Sequence, residues 1–213
     1  MIRLLRKNIF SILVYACIIT IGALMVASVP KFELHTWINS LHSSFLDTFF
    51  KALTLLGDGW FAAIISITFL FISFRYVLMF GSATLGSGFL VQFLKRFVFR
   101  DMERPASFLE FMPDLPLVSG VNLHHHLSFP SGHTTTAFAI FILAGLISGK
   151  RWLSIALLIL AFLVGLSRVY ISQHFLEDII VGSLIGSLSA LFFYWYFQRM
   201  NYGWLNKSIL RIR

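Results

Sequence analysis

The chain has 213 residues, of which 58% are hydrophobic and only 12% charged, with a mean hydropathy of +0.83. A soluble domain carries about 25% charged residues, so this composition excludes a soluble globular protein and points to a polytopic membrane protein of one domain. The net charge of +8 suggests nucleic acid until its distribution is read, and the single cysteine, Cys17, rules out an intramolecular disulfide.

Arg3, Arg6 and Lys7 precede an apolar run over residues 9–29. That run exceeds the about 7–15 residues of a signal-peptide core and reads as a retained span. Residues 31–51 mix charges with Leu34, Trp37, Ile38, Leu41, Phe45 and Leu46. This helical spacing predicts an amphipathic interfacial helix lying on the membrane. Further apolar runs follow at 56–74, 76–94, 131–149, 152–169 and 175–197, each about long enough to cross a bilayer as a helix. The predicted fold is all-α: a polytopic bundle of six transmembrane helices with one amphipathic interfacial helix, forming a single domain over 1–213. The tail, 198–213, carries Arg199, Tyr202, Trp204 and Lys207 and reads as an interfacial anchor rather than a nucleic-acid arm.

Charge fixes the direction of insertion. With both termini cytoplasmic, the inner side holds Arg3, Arg6, Lys7, Arg75, Lys150, Arg151, Arg199, Lys207, Arg211 and Arg213, ten cations with no carboxylate. The outer side holds all nine carboxylates, all seven histidines and the other seven cations. Short cytoplasmic loops rich in Lys and Arg set this orientation. Lys95, Arg96, Arg100 and Arg104 then stand in an outer loop, where topology does not call for cations. An anionic substrate on that side explains them most simply.

Three sequence clusters carry chemistry. Ser131 follows Pro130 and is placed to cap the fourth span; a helix start presents free N–H groups and a partial positive charge to phosphate oxygens. Gly132 lets backbone approach closely, and His133 stands beside that position. The plain reading of this tetrapeptide alone is a capped helix start with an interfacial histidine. His174 and Asp178 are four residues apart, one turn on one helix face. A carboxylate there fixes the imidazole tautomer and leaves the other ring nitrogen as a directed nucleophile. The competing reading is an interfacial polar pair, but ionisable groups at the start of an apolar span are functional by default. Arg168, six residues before His174, offers a planar multidonor fork for phosphate, against the simpler role of a snorkelling side chain. Arg104 is directed by Pro105, which holds it extended. Two histidines, one carboxylate and several cations suit phosphoryl transfer through a covalent histidine intermediate.

Lys-(x)n-Arg-Pro, Pro130-Ser131-Gly132-His133 and Ser167-Arg168-(x)5-His174-(x)3-Asp178, in this order on a six-span chain, resemble the type 2 phosphatidic acid phosphatase family. The resemblance covers roughly residues 56–197, behind a first span and interfacial helix at 9–55. The second and third motifs match in full. The first departs: eight residues separate Lys95 from Arg104 where the family has six, and Phe97 fills the nominal lysine position. Lys95 after a two-residue loop insertion, Arg96 and Arg100 compete for that role. The resemblance implies a membrane lipid phosphatase that needs no metal and no cofactor. In it His174 is the nucleophile and forms a phosphohistidine, Asp178 orients it, and His133 is the general acid and then the base for water. Lys95, Arg104, Arg168, the Ser131 hydroxyl and the Gly132 N–H hold the phosphoryl oxygens. The implied substrates are lipid phosphates or diphosphates at the outer face of the cytoplasmic (inner) membrane: undecaprenyl diphosphate, phosphatidylglycerol phosphate, phosphatidic acid or lipid A phosphates.

Two other readings compete: a lipid-to-lipid phosphotransferase using the same intermediate, and a non-catalytic protein that binds lipid or anions. The expected partners are the lipid phosphate and surrounding membrane lipids, with no nucleic acid. His124-His125-His126 reads as a loop lining the mouth near His133, or as a headgroup contact, rather than as a metal site, since adjacent histidines on a loop rarely converge and no nearby cysteine completes one. Gly182 and Gly186 form a small-xxx-small pattern for packing within the bundle or in a homodimer, and Gly81, Gly86 and Gly88 read the same way.

Overall fold

The computed structural model describes residues 8–211, and the described regular structure is entirely helical. Among the described residues eight α-helices carry the fold: α1 (Ile9–Ser28), α2 (Lys31–Asn39), α3 (Ser44–Leu53), α4 (Gly59–Thr68), α5 (Phe74–Phe93), α6 (Gly132–Ser148), α7 (Arg151–Tyr170) and α8 (Leu176–Gln198). Arg3, Arg6, Lys7 and Arg213, four of the cations assigned to the inner side, lie outside the described residues.

Helices α1, α5 with its extension to Val98, α7 and α8 are long and apolar enough to span a membrane. The count of six is not reproduced on these criteria. Among the described residues there are four such helices, or five if one bent pair is a single span. That pair, Ser44–Gly57 and Gly59–Phe71, turns by 56° because the Asp58 carboxylate accepts from the Trp60 N–H (3.2 Å) and starts a new helix. Helix α6, expected as the fourth span, is apolar but only 17 residues long. Ser131 caps its start and Gly149, at φ 64°, ends it in the left-handed region that glycine tolerates. The expected single interfacial helix is two, because Ser43 is extended and its hydroxyl accepts from the Leu46 N–H (3.3 Å), opening α3 afresh.

Helix α6 is the centre of the bundle, packed on α5, α7 and α8. Phe138, Ala139 and Leu143 from α6 meet Met79 and Phe80 of α5 and Leu158 and Val164 of α7 in the buried core. Close approach of α8 to α6 requires glycine. A Cβ on Gly182 would stand 2.7 Å from the Ser131 carbonyl oxygen, and one on Gly186 would run into the Thr135 carbonyl and the Phe138 Cβ. Both glycines therefore serve packing inside this bundle. Gly86 packs similarly against Phe193, whereas Cβ atoms on Gly81 or Gly88 would meet nothing within 4 Å. Those two instead line a lateral cavity of about 540 Å³ between α4 and α5 that ends at Gly132 and His133. Gly186→Ala is expected to cost about 1–3 kcal/mol through overpacking, read as a lowered unfolding temperature in detergent. Gly81→Ala, which clashes with nothing and gains helix propensity, is expected not to lower it.

Alternating direction brings the C-terminal ends of α5 and α7 and the N-terminal ends of α6 and α8 to one side of the bundle. The three sequence clusters read as carrying chemistry lie at these four ends, in the short loop between α7 and α8, or in the loop between α5 and α6.

Candidate active site

The last turn of α7 and the short loop from Ile171 to His174 are folded tightly together. The Arg168 carbonyl accepts from the N–H groups of both Gln173 (2.9 Å) and His174 (3.1 Å), and Ser172 closes the turn at φ 53°. This geometry turns His174, 1% exposed, inward at the start of α8. Its Nδ1 lies 3.1 Å from Asp178 Oδ2, so the expected partners meet, but His174 precedes the helix and Phe175 is extended, so the contact joins the loop to the first turn of α8 and is not made across one turn of helix. The same carboxylate oxygen accepts from the Phe175 N–H (3.0 Å) and from the Ser128 hydroxyl. Asp178 thus caps α8 and orients the imidazole together, while Nε2, on the opposite edge of the ring, faces away from the carboxylate. Ser128, whose Oγ is also 3.4 Å from His174 Nδ1, was not identified from sequence. Its one signal there was a small polar residue two positions ahead of Pro130.

The neighbouring helix start is joined to this pair through backbone: the Ser131 N–H donates to the Asp178 carbonyl (3.0 Å). The fully buried Ser131 hydroxyl accepts from the Thr134 N–H (3.4 Å) and hydroxyl (2.9 Å), as an N-cap does. Gly132 and His133 begin α6 beside it, and the Gly57 backbone lies so close that a Cβ there would be 2.7 Å from the His133 carbonyl oxygen.

The cations converge on the same place. Lys95 sits in a π-helical turn, Leu94–Val98, at the end of α5, and is 5% exposed. Its Nζ donates to the carbonyls of Leu127 (2.6 Å) and Ser128 (3.3 Å), next to the His174–Asp178 pair. Arg96 and Arg100 are exposed, and Arg100 faces Asp101 at 3.5 Å. Of the three residues competing for the first-motif lysine, Lys95 alone points into the site. The π turn is a device frequent at functional sites. Arg104 is extended ahead of Pro105, as expected. Its Nε donates to the His126 carbonyl (2.9 Å), and one terminal nitrogen donates to the Gln173 side-chain oxygen (2.9 Å). Arg168 is 7% exposed; one terminal nitrogen donates to the Thr54 hydroxyl (2.8 Å) and its buried Nε finds no acceptor among the described residues.

The electrostatics follow from this shared space. Burial holds the His174 pKa well below the usual 6.5, and the charges of Arg168, Lys95, Arg104 and His133 push it further down. The nucleophile candidate is therefore a neutral imidazole, with Asp178 on its Nδ1 edge and Lys95, Arg104 and Arg168 as the surrounding positive charge. Burial also lowers Arg104, with Asp178 acting in the opposite sense. His124 shares a cavity of about 340 Å³ with Lys95 and Arg104 and a second of about 370 Å³ with His133 and Arg168, so it lines the mouth as expected. His126 faces Glu103 at 3.5 Å. Among the described residues no group of three or more His, Cys, Asp or Glu side chains is arranged to hold a metal.

Comparison with known proteins agrees with this geometry. The pattern of the PAP2 superfamily matches residues 76–202. The lipid A 4'-phosphatase of Bacteroides thetaiotaomicron is 27% identical over 169 residues, covering 76% of this chain and 74% of that protein. The bacitracin transport permease protein BcrC of Bacillus licheniformis is 42% identical over 76 residues, but the match spans only 35% of this chain and 36% of that protein. The crystal structure of Aquifex aeolicus LpxE superposes with a TM-score of 0.68 at 32% identity, covering 80% of this chain and 99% of that one. With the pattern matched over more than half its length, the chain belongs to the PAP2 superfamily.

Proposed function

We propose that the chain hydrolyses a lipid phosphate or diphosphate through a phosphohistidine on His174, at the outer face of the cytoplasmic membrane. The observation that carries this reading is the buried His174–Asp178 pair, 3.1 Å apart, beside the Lys95, Arg104 and Arg168 cations. In the first step Nε2 of His174 attacks phosphorus, the bond to the leaving oxygen breaks, and His133 gives that oxygen its proton. Asp178 stabilises the positive phospho-imidazole that results. In the second step His133 takes a proton from water, which attacks phosphorus, and the P–N bond breaks to restore His174. Lys95, Arg104, Arg168, the Ser131 hydroxyl and the Gly132 N–H hold the three non-bridging oxygens; phosphoryl transfer is mainly positioning and charge stabilisation. These fixed cations take the electrostatic part that a metal ion takes in other phosphatases, so the reading is metal-independent. The lateral cavity between α4 and α5 reaches His133 and gives the lipid portion a route in from the bilayer while the headgroup stays above it. The orientation supported by the charge distribution, with both termini cytoplasmic, puts the site on the outer side.

Purified protein in detergent, offered phosphatidic acid, phosphatidylglycerol phosphate, undecaprenyl diphosphate and lipid A with excess chelator present, is expected to release inorganic phosphate from at least one. Silence on the whole panel, or release only when a divalent ion is added, would overturn this reading.

A further inference from the structure

Arg168 belongs to the matched region, but the group that aims it does not. Its guanidinium donates to the hydroxyl of Thr54, 114 residues earlier and outside the matched span of 76–202. Thr54 opens a short 3-10 turn, Thr54–Gly57, between α3 and α4. We propose that Thr54 is a positioning residue that fixes the rotation of the Arg168 guanidinium, and that the segment from α2 to this turn clamps the end of α7 and the loop after it, which carry Arg168 and His174. This rests on the assignment of Arg168 as a phosphate ligand.

Three observations support the clamp. The 3-10 turn is itself fixed, since the Gly57 backbone lies against His133 with no room for a Cβ. Helix α3 is anchored to the last turn of α7: the Tyr170 hydroxyl donates to Asp47 (2.6 Å), the Ser43 N–H approaches that hydroxyl at 3.4 Å, and His42 stacks on the Tyr170 ring at 4.7 Å. Helix α2 holds the next residues, with buried His35 Nε2 3.3 Å from the Ser172 hydroxyl and the Asn39 amide donating to the Val169 carbonyl at 3.3 Å. Contacts therefore run along the end of α7 and into the loop after it, at 168, 169, 170 and 172, all from residues ahead of the matched region.

The chemical consequence lies in which donors are left over. An arginine side chain carries about 2 kcal/mol of rotamer entropy, and its planar fork is useful only in one roll angle. The bond to Thr54 consumes one donor and selects that angle, leaving the buried Nε without an acceptor. A buried charged donor without a partner is costly, and a phosphoryl oxygen supplies what is missing. Arg168 is thus held ready before the anion arrives, rather than ordered by it.

The test uses Thr54→Val, which keeps the shape and removes the acceptor, and Thr54→Ser, which keeps the acceptor. Affinity for inorganic phosphate is read by calorimetry, alongside KM, kcat and the unfolding temperature. Thr54→Val is expected to weaken phosphate binding and lower kcat/KM by about tenfold or more with little change in unfolding temperature, and Thr54→Ser is expected to restore most of both. Wild-type affinity in Thr54→Val, or a Thr54→Ser protein as weak as Thr54→Val, overturns the role of Thr54. Failure of the wild-type protein to hydrolyse any lipid phosphate while it binds inorganic phosphate in a Thr54-dependent way overturns the proposed function alone. A wild-type protein that binds no phosphate overturns both.

Discussion

Replacing His174 with asparagine is expected to lower phosphate release by more than about 10⁴-fold, the scale on which loss of a nucleophile is felt when the remaining groups cannot substitute for it. Asparagine is the informative replacement. Its amide nitrogen can stand near the place of Nδ1 and keep the bond to Asp178, which is 3.1 Å in the native pair, while nothing remains where Nε2 was. Alanine would remove the whole of a side chain only 1% exposed and mix a cavity cost with the loss of chemistry. Rapid quench with phosphorus-labelled substrate should trap label on the native chain and none on His174→Asn. The native enzyme should also hold its activity as pH falls through 6.5, because burial and four neighbouring cationic or histidine groups keep the His174 pKa well below that value. The imidazole therefore stays unprotonated where an ordinary histidine would be charged. A His174→Asn protein that turns over within tenfold of native would remove His174 from the mechanism.

That His174 and Asp178 meet was legible in the sequence because the two stand close along the chain. His174 nevertheless stands ahead of α8, with extended Phe175 between it and the helix, so Asp178 meets the ring from the first turn of the helix and not across one helical turn as the spacing predicts; Ser131 does behave as the N-cap its type and position predict. The six apolar segments are all helical in the structure, but their lengths were less legible. Asp58 and Ser43 break helices through hydrogen bonds to backbone N–H groups two and three residues on. The apolar periodicity runs straight across both breaks, so pattern alone joined what capping separates. The assignment of Lys95 over Arg96 and Arg100 depended on a π turn, which shifts side-chain direction without any change in composition. Long-range partners were not readable at all. Ser128 reaches Asp178 across 50 residues and Thr54 reaches Arg168 across 114. Neither carries a charge or a motif that would have marked it. Gly81 and Gly88 looked like Gly182 and Gly186, and only the space around each separates a packing glycine from one that lines a cavity.

Asp178→Asn is expected to lower kcat by about 10³–10⁴-fold, the range seen when an orienting carboxylate is neutralised, with KM within a few-fold of native. The native Oδ2 takes three donors: His174 Nδ1, the Phe175 N–H and the Ser128 hydroxyl. An amide oxygen in the same place can accept all three, so the α8 cap and the ring orientation both survive and only the negative charge is lost. That charge matters most when phosphorus has bonded to the ring and made it cationic, next to Lys95, Arg104 and Arg168. The substitution therefore acts on the barrier to the intermediate and not on substrate capture; removing an anion from a site that binds anions gives no reason for KM to rise. Asp178→Ala separates the two contributions. It strands the Phe175 N–H and the Ser128 hydroxyl without their acceptor, at about 1–3 kcal/mol for each buried group, and should lower the unfolding temperature as well as the rate. If Asp178→Asn loses less than tenfold in kcat while Asp178→Ala unfolds early, the carboxylate is a helix cap and a structural anchor, and the charge opposite the phospho-imidazole must come from elsewhere.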